Sequence, residues 1–291
     1  MITIFTPAYN RVHTLERLYN SLCVQTSFDF EWLVIDDGST DGTKSFFESM
    51  APSPFDVRYY NQDNGGKHRA INKGVMLARG EWFFIVDSDD YLPVSSVEII
   101  KRYVGEIEDD NRFCGITGLR VSPDLKPIGS VVFDKPMDID NLTFRNKYKG
   151  TGDYAEVLRT SVLREYPFPE YAGEKFCTEA LVLNRIAHKY LTRFVNAKIY
   201  ICEYQAGGLT DTYARIMQNS PQAAMLYYKE LLCSNGLSLR SRISFHLSYW
   251  KYHSCFKGEL ECGLAPTWKM RLLFIFLKPA YKIWHILKCL A

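Results

Sequence analysis

Two aspartates one residue apart stand in the run VDSDD at 86–90, directly after the apolar residues 82–86. In extended backbone, residues i and i+2 point to one face, so Asp87 and Asp89 project together and Ser88 turns away. Two carboxylates held close repel each other unless a cation lies between them. Ligands that are all oxygen select a hard ion, Mg2+ or Mn2+, with phosphate oxygens completing the shell. The competing reading is a solvated acidic turn that caps the next helix.

Two further constellations are weaker when taken singly. IDDGSTDG at 35–42 puts Asp36 and Asp37 at the end of an apolar run, before a Gly turn. A carboxylate there can accept from a base N–H or a ribose hydroxyl, and Asp41 can cap the following helix. Turn chemistry alone explains the same composition. NQDNGGKHRAINKG at 61–74 places paired glycines before a helix, where exposed backbone N–H groups suit an anion. Lys67 and Arg69 add positive charge; a plain Gly turn with a solvated basic helix start is the alternative.

The elements that must position these groups alternate in type. Residues 2–6, 31–36, 57–60 and 82–86 read as buried strands, and 13–25, 40–50 and 67–78 as helices with apolar residues at helical spacing. Such alternation predicts an α/β fold, a mainly parallel central sheet with helices on both faces. Ligands then sit beyond the carboxyl ends of the strands, where the three constellations fall. From about 111 the pattern changes to short strands (114–117, 130–133, 155–159 and 194–200) and one helix, 178–190. From about 220 the chain reads as mainly helical. The expected division is 1–215, with halves 1–110 and 111–215, followed by a helical extension, 216–291.

With 291 residues, 47% apolar and 23% charged, the chain can bury a large core without disulfides. A net charge of +2 gives no bulk electrostatic case for nucleic-acid binding. The eight cysteines form no C-x-x-C pair, which argues against zinc and for reduced thiols in a cytosolic setting. The first residues, MITIFTPAYNR, lack a secretory leader, and no apolar run reaches spanning length. The stretch 267–290 is rich in Trp, Phe, Leu and Ile. There Arg271, Lys278, Lys282 and His285 fall within about 60° on a helical wheel. That pattern predicts a basic amphipathic helix lying on a membrane surface, with packing on the core or on another subunit as the alternative.

In order and spacing, TPAYNR, DDGSTDG, NGGK-x-x-A-x-N-x-G and DSDD resemble the family-2 inverting glycosyltransferases of GT-A fold, of the bacterial surface-polysaccharide type. The resemblance is strong over 1–95 and looser to about 210. It implies a nucleotide-sugar site bordered by Pro7, Ala8, Tyr9 and Arg11, with Asp37 reading the base, usually uracil. Lys67 would lie near the phosphates. Asp87 and Asp89 match the D-x-D metal motif: Asp89 as the direct Mn2+ or Mg2+ ligand, Asp87 also toward ribose with Ser88 beside it, and adjacent Asp90 able to share either role. The family's usual Glu-Asp pair, whose Asp deprotonates the acceptor, is absent from FPEYAGEKFCTEALVLNRIA, where Ala180 follows Glu179. Glu179 is the first candidate base, Glu174 the second and Asp153 an outside one.

The implied function is metal-dependent transfer of a hexosyl group from a UDP-sugar to a hydroxyl of a glycan or lipid-linked acceptor. The enzyme would be cytoplasmic, at the inner face of the membrane, and able to form homo-oligomers. Two other classes compete: a non-catalytic nucleotide-sugar or glycan-binding protein, and a nucleotidyltransferase. The latter calls for a Gly-rich loop after the first strand, and TPAYNR has no Gly.

Overall fold

The computed structural model describes residues 1–131, 133–203, 209–234, 237–260 and 263–275. The first half alternates β1 (Ile2–Ala8), α1 (Val12–Cys23), β2 (Phe30–Asp36), α2 (Thr43–Glu48), β3 (Asp56–Asn61), α3 (Lys67–Leu77), β4 (Trp82–Ile85) and α4 (Ser96–Gly105). Then follow β5 (Phe113–Val121), β6 (Met137–Ile139), α5 (Asn141–Lys147), β7 (Tyr154–Arg159), α6 (Thr160–Glu165), α7 (Glu179–Ala187) and β8 (Leu191–Ile201). The strands form one sheet of order β3-β2-β1-β4-β7-β5-β8-β6. β1 to β4 are mutually parallel, β7 is antiparallel to β4 and β5, and β5 pairs parallel with β8. β2 is buried along its whole length, as a strand covered on both faces must be.

The core of this sheet joins Ile4, Trp32, Val34 and Phe84 to Leu15, Leu18 and Leu22 of α1 and to Val97, Ile100 and Val104 of α4. On the other face α3 approaches β1 closely: a Cβ on Gly74 would lie 2.2 Å from the Phe5 ring, so only glycine fits there. Elements α4, α5, α6 and β6 were absent from the sequence-based expectation. The strand expected at 130–133 does not form among its described residues; the edge strand beside β8 is β6, three residues long.

By contacts the chain divides into two compact units: residues 1–168 with 179–208, and residues 169–178 with those from 209 onward. The second holds α8 (Leu209–Asn219), α9 (Pro221–Cys233) and α10 (Leu239–Cys255) around Met217, Met225, Tyr249, Tyr252 and Met270. Residues 268–275 are helical. Lys278, Lys282 and His285 of the expected basic face lie outside the described residues. Among the described residues no helix is long and apolar enough to cross a membrane. The described cysteines are all free thiols.

Candidate active site

The carboxyl ends of β1, β2 and β4 supply three loops, and the first two brace each other. Asn10, at φ 52°, donates its N–H to Ser39 Oγ (2.8 Å) and accepts from the Thr40 N–H (2.8 Å). Asp41 accepts from Val12 N at 2.9 Å, so the β2 loop caps the N-terminus of α1. Asp36 is structural, accepting from Tyr59 Oη at 2.6 Å and from Ser39 N at 2.8 Å.

Asp37 is buried, and its Oδ1 accepts from Gln62 Nε2 (2.8 Å) and Gly65 N (2.9 Å). Its Oδ2 accepts from Gly66 N at 2.7 Å. The paired glycines therefore do expose N–H groups toward an anion, but the anion is the protein's own carboxylate. Gly38 makes this possible: at φ 83° it stands where a Cβ would meet Asn64 N at 2.9 Å.

Clamped in this way, the start of α3 aims Lys67 across the rim. Its Nζ lies 2.6 Å from Asp87 Oδ1 and 2.8 Å from Glu179 Oε1, the first residue of α7. Arg120 of β5 reaches Asp87 Oδ2 at 3.8 Å, donates from Nε to Tyr154 O at 2.8 Å, and lies 4.3 Å from the centroid of the Tyr200 ring. Burial pulls the Lys67 ammonium down, but the carboxylates of Asp87 and Glu179 outweigh it and hold it above its ordinary value. Burial would likewise raise Asp87; Lys67 and Arg120 prevail and hold it below the usual carboxylate range.

Exposure alternates along the acidic run: Ser88 and Asp90 are buried, while Asp87 and Asp89 are half-buried. Asp89 Oδ2 is 3.8 Å from Arg11, which ties the first loop to the third. Asp90 accepts from Tyr200 Oη at 2.8 Å and from Glu203 N at 3.1 Å; burial, then the charge of Asp87, push its carboxyl up to about 7. Of the first-loop residues, Ala8 is buried, Pro7 half-buried and Tyr9 50% exposed.

The candidate bases separate. Glu179 joins Lys67 and Asp87. Glu174 belongs to the second unit, where its carboxylate accepts from Gln222 N (2.7 Å) and Ala223 N (3.0 Å) and so caps α9. Asp153 is exposed in the turn before β7. Sequence reasoning missed Arg120 and Tyr200. The signal for Arg120 was one cation within the otherwise buried strand FCGITGLRV.

The donor set suits a hard divalent cation. Among the described residues no cluster of three or more His, Cys, Asp or Glu forms a protein cage. Mg2+ is commonly bound through one or two carboxylates together with substrate phosphates. Asp89, partly exposed and without the short ion pair that occupies Asp87, fits that role.

Solved structures share this architecture. S. aureus TarS 1-349 in complex with UDP-GlcNAc is similar at a TM-score of 0.61 and 20% identity, over 88% of this chain and 73% of that one. The mannosyltransferase PcManGT from Pyrobaculum calidifontis, in complex with GDP-Man and Mn2+, is similar at 0.56 and 16% identity, over 97% and 82%. The fold is therefore that of the GT-A glycosyltransferases. A family model described as Glycosyl transferase family 2 matches residues 3–165, more than half the chain. The chain belongs to that family. It is 34% identical over 126 residues to a chondroitin synthase of Pasteurella multocida, 43% of this chain but 13% of that protein. It is 32% identical over 111 residues to the glycosyltransferase GlyG of Streptococcus pneumoniae, 38% of this chain and 37% of GlyG.

Proposed function

We propose that this enzyme transfers a sugar, with inversion, from a UDP-sugar to a hydroxyl of a glycan or lipid-linked acceptor in surface-polysaccharide synthesis. The observation that carries the reading is Lys67 bridging Asp87 and Glu179, which links the donor side of the rim to an acid on the acceptor side. Among the described residues Asp37 Oδ2 accepts from Gly66 N, and a carboxylate oxygen with that one bond keeps acceptor capacity for a base N–H, as a uracil offers. TarS with UDP-GlcNAc supports a UDP donor by likeness of fold.

Asp89 would hold Mn2+ or Mg2+, which when bound neutralises charge on the leaving diphosphate. The chain's own residues do the rest. Pro7, Ala8, Tyr9 and Arg11 border the nucleotide, Asp87 lies toward its ribose, and Lys67 faces the phosphates; the Ser88 side chain is buried beside Asp87 and turned away from the ligand. A diphosphate competes with Glu179 for the Lys67 ammonium. Once released, the Glu179 carboxylate takes the proton of the acceptor hydroxyl as that oxygen attacks the anomeric carbon. A single base on the side opposite the leaving group gives inversion.

General-base catalysis contributes roughly 10²–10⁴-fold. Glu179→Gln is therefore expected to lower kcat by about that factor while UDP binds no more weakly, because the competitor for Lys67 is gone. The assay follows UDP release with Mn2+ and a panel of UDP-sugars, with the anomer read by NMR. Pyrophosphate as product, or a Glu179→Gln enzyme as fast as wild type, would refute the reading. We further place the enzyme on the cytoplasmic face of a membrane, held through 267–290.

A further inference from the structure

Helix α1 carries three polar residues, Arg17, Ser21 and Gln25, at i, i+4 and i+8, on one face or just past its end. All three grip the segment that follows β4. Gln25 donates to Pro93 O (2.8 Å) and accepts from Val97 N (3.1 Å), and Ser21 Oγ accepts from Leu92 N (3.2 Å). Arg17 is different. Its Nη2 donates to the backbone carbonyl of Asp89, and its Nη1 pairs with the Glu203 carboxylate. Its guanidinium lies 4.8 Å from the centroid of the Tyr91 ring.

The two segments that Arg17 joins are also bonded to each other. Tyr91 and Ile201 exchange backbone hydrogen bonds at 3.1 and 2.9 Å, and Glu203 N donates to Asp90 Oδ1 at 3.1 Å. Arg17 thus closes a ring through the acidic run, the end of β8 and α1. Ser21 and Gln25 hold backbone beyond the acidic run. Only Arg17 among the three holds the peptide of Asp89 itself.

We infer that Arg17 is a positioning residue for metal and diphosphate binding: it fixes the Asp89 peptide, and so the direction of the Asp89 carboxylate, and couples that direction to Glu203. The inference rests on Asp89 being the metal ligand. The chemistry suits arginine. A planar fork serves a carbonyl and a carboxylate together and still stacks on a ring, which a lysine ammonium does not. Groups that orient a metal ligand without touching the metal commonly change metal affinity by about 10–100-fold when removed.

The test is Mn2+ binding to the full chain with saturating UDP, read from the free-Mn2+ EPR signal, alongside the melting temperature without metal. Arg17→Met keeps an apolar stem against Tyr91 and removes the fork. It is expected to weaken Mn2+ binding by about 10-fold or more, at a temperature where the metal-free variant is fully folded. Arg17→Lys should fall between Met and wild type. Ser21→Ala, which loosens the same segment away from Asp89, should lower the melting temperature and leave Mn2+ affinity unchanged. Should Arg17→Met not fold, Glu203→Gln carries the test, with a smaller loss in the same direction. Mn2+ affinity within about twofold of wild type in the Arg17 and Glu203 variants overturns the inference while leaving the metal reading intact. A wild-type chain that binds no Mn2+ beside UDP overturns the metal reading, and the inference with it.

Discussion

Glu156 is an acid near this rim that the proposed chemistry does not use. It stands on β7 opposite Thr117 of β5 and lines a small cavity with Asn141, Leu183 and Thr192. Burial pushes its carboxyl up to about 7; Arg120 and Arg145 pull it back, and Glu179 adds to the rise. An unfolded glutamate titrates near 4.5, so between the two values the native chain holds a proton that the unfolded chain has released. Stability from this group is therefore complete below pH 4.5 and is lost as pH rises through 7. Glutamine keeps the neutral shape at every pH. Glu156→Gln should raise the melting temperature at pH 8 and change it little at pH 4.5, as calorimetry at the two pH values would show. An equal shift at both would remove charge as the cause. The contrast with Asp87, held ionised by Lys67 and Arg120 at the same rim, shows that neighbouring cations decide which buried acid keeps its charge.

Among the elements, the parallel strands are tied by one buried carboxylate. Glu31 of β2 accepts from Thr3 Oγ1 of β1 (2.6 Å), from Arg58 Nη1 of β3 (2.8 Å) and from Arg79 N after α3 (2.7 Å). Burial would raise its carboxyl, but these hydrogen bonds and the Arg58 charge outweigh it and hold it below 4.5. The stabilisation is thus present above pH 4.5 and is lost as pH falls through the lowered native value. Glu31→Gln leaves Arg58, whose side chain is 12% exposed, without its counter-charge and should cost at most roughly 3–5 kcal/mol in urea unfolding at pH 7. Near pH 3 the difference from wild type should shrink; a gap that stays constant would mean that shape, and not charge, sets the cost. The alternating strands and helices were legible because their apolar periodicity is local, and so was the acidic run, placed by the end of β4. Helix α4 had no range of its own in the sequence-based expectation, although Val97, Ile100 and Val104 sit at helical spacing. Arg120 and Tyr200 were not legible. They reach Asp87 and Asp90 from strands far along the chain, through a sheet order that no local pattern states. Glu179 ranked ahead of Glu174 in sequence because it opens a helix; that Glu174 caps the N-terminus of α9 was not legible there.

At the scale of the whole molecule, the C-terminal helical stretch has one buried side and one exposed side. Within 268–275, Met270 is buried in the second unit's core, and the Phe274 ring stacks 4.3 Å from that of Trp250. The opposite side shows Trp268 (68% exposed), Leu272 (49%) and Ile275 (68%) at i, i+4 and i+7, with Lys269 and Arg271 also exposed. A large apolar stripe beside cations is the composition of a helix that lies in a lipid interface. The proposed membrane contact therefore predicts that the chain sediments with vesicles containing anionic phospholipid, and less so as salt rises, because exposed charges are screened within about 10 Å at 0.1 M. Cutting the chain at 265 would be a poor test, since it removes Met270 from the core. Trp268→Ser with Ile275→Ser keeps Met270 and Phe274 in place, and so should release the chain from vesicles while leaving the melting temperature within a degree or two of wild type. A chain cut after Ile275 separates the contribution of 276–291 from that of the exposed stripe. If both variants still sediment as wild type does, the surface held to lipid lies elsewhere on the molecule. If neither they nor wild type sediment, the stripe faces protein, and the oligomeric state of the double variant becomes the measurement that decides.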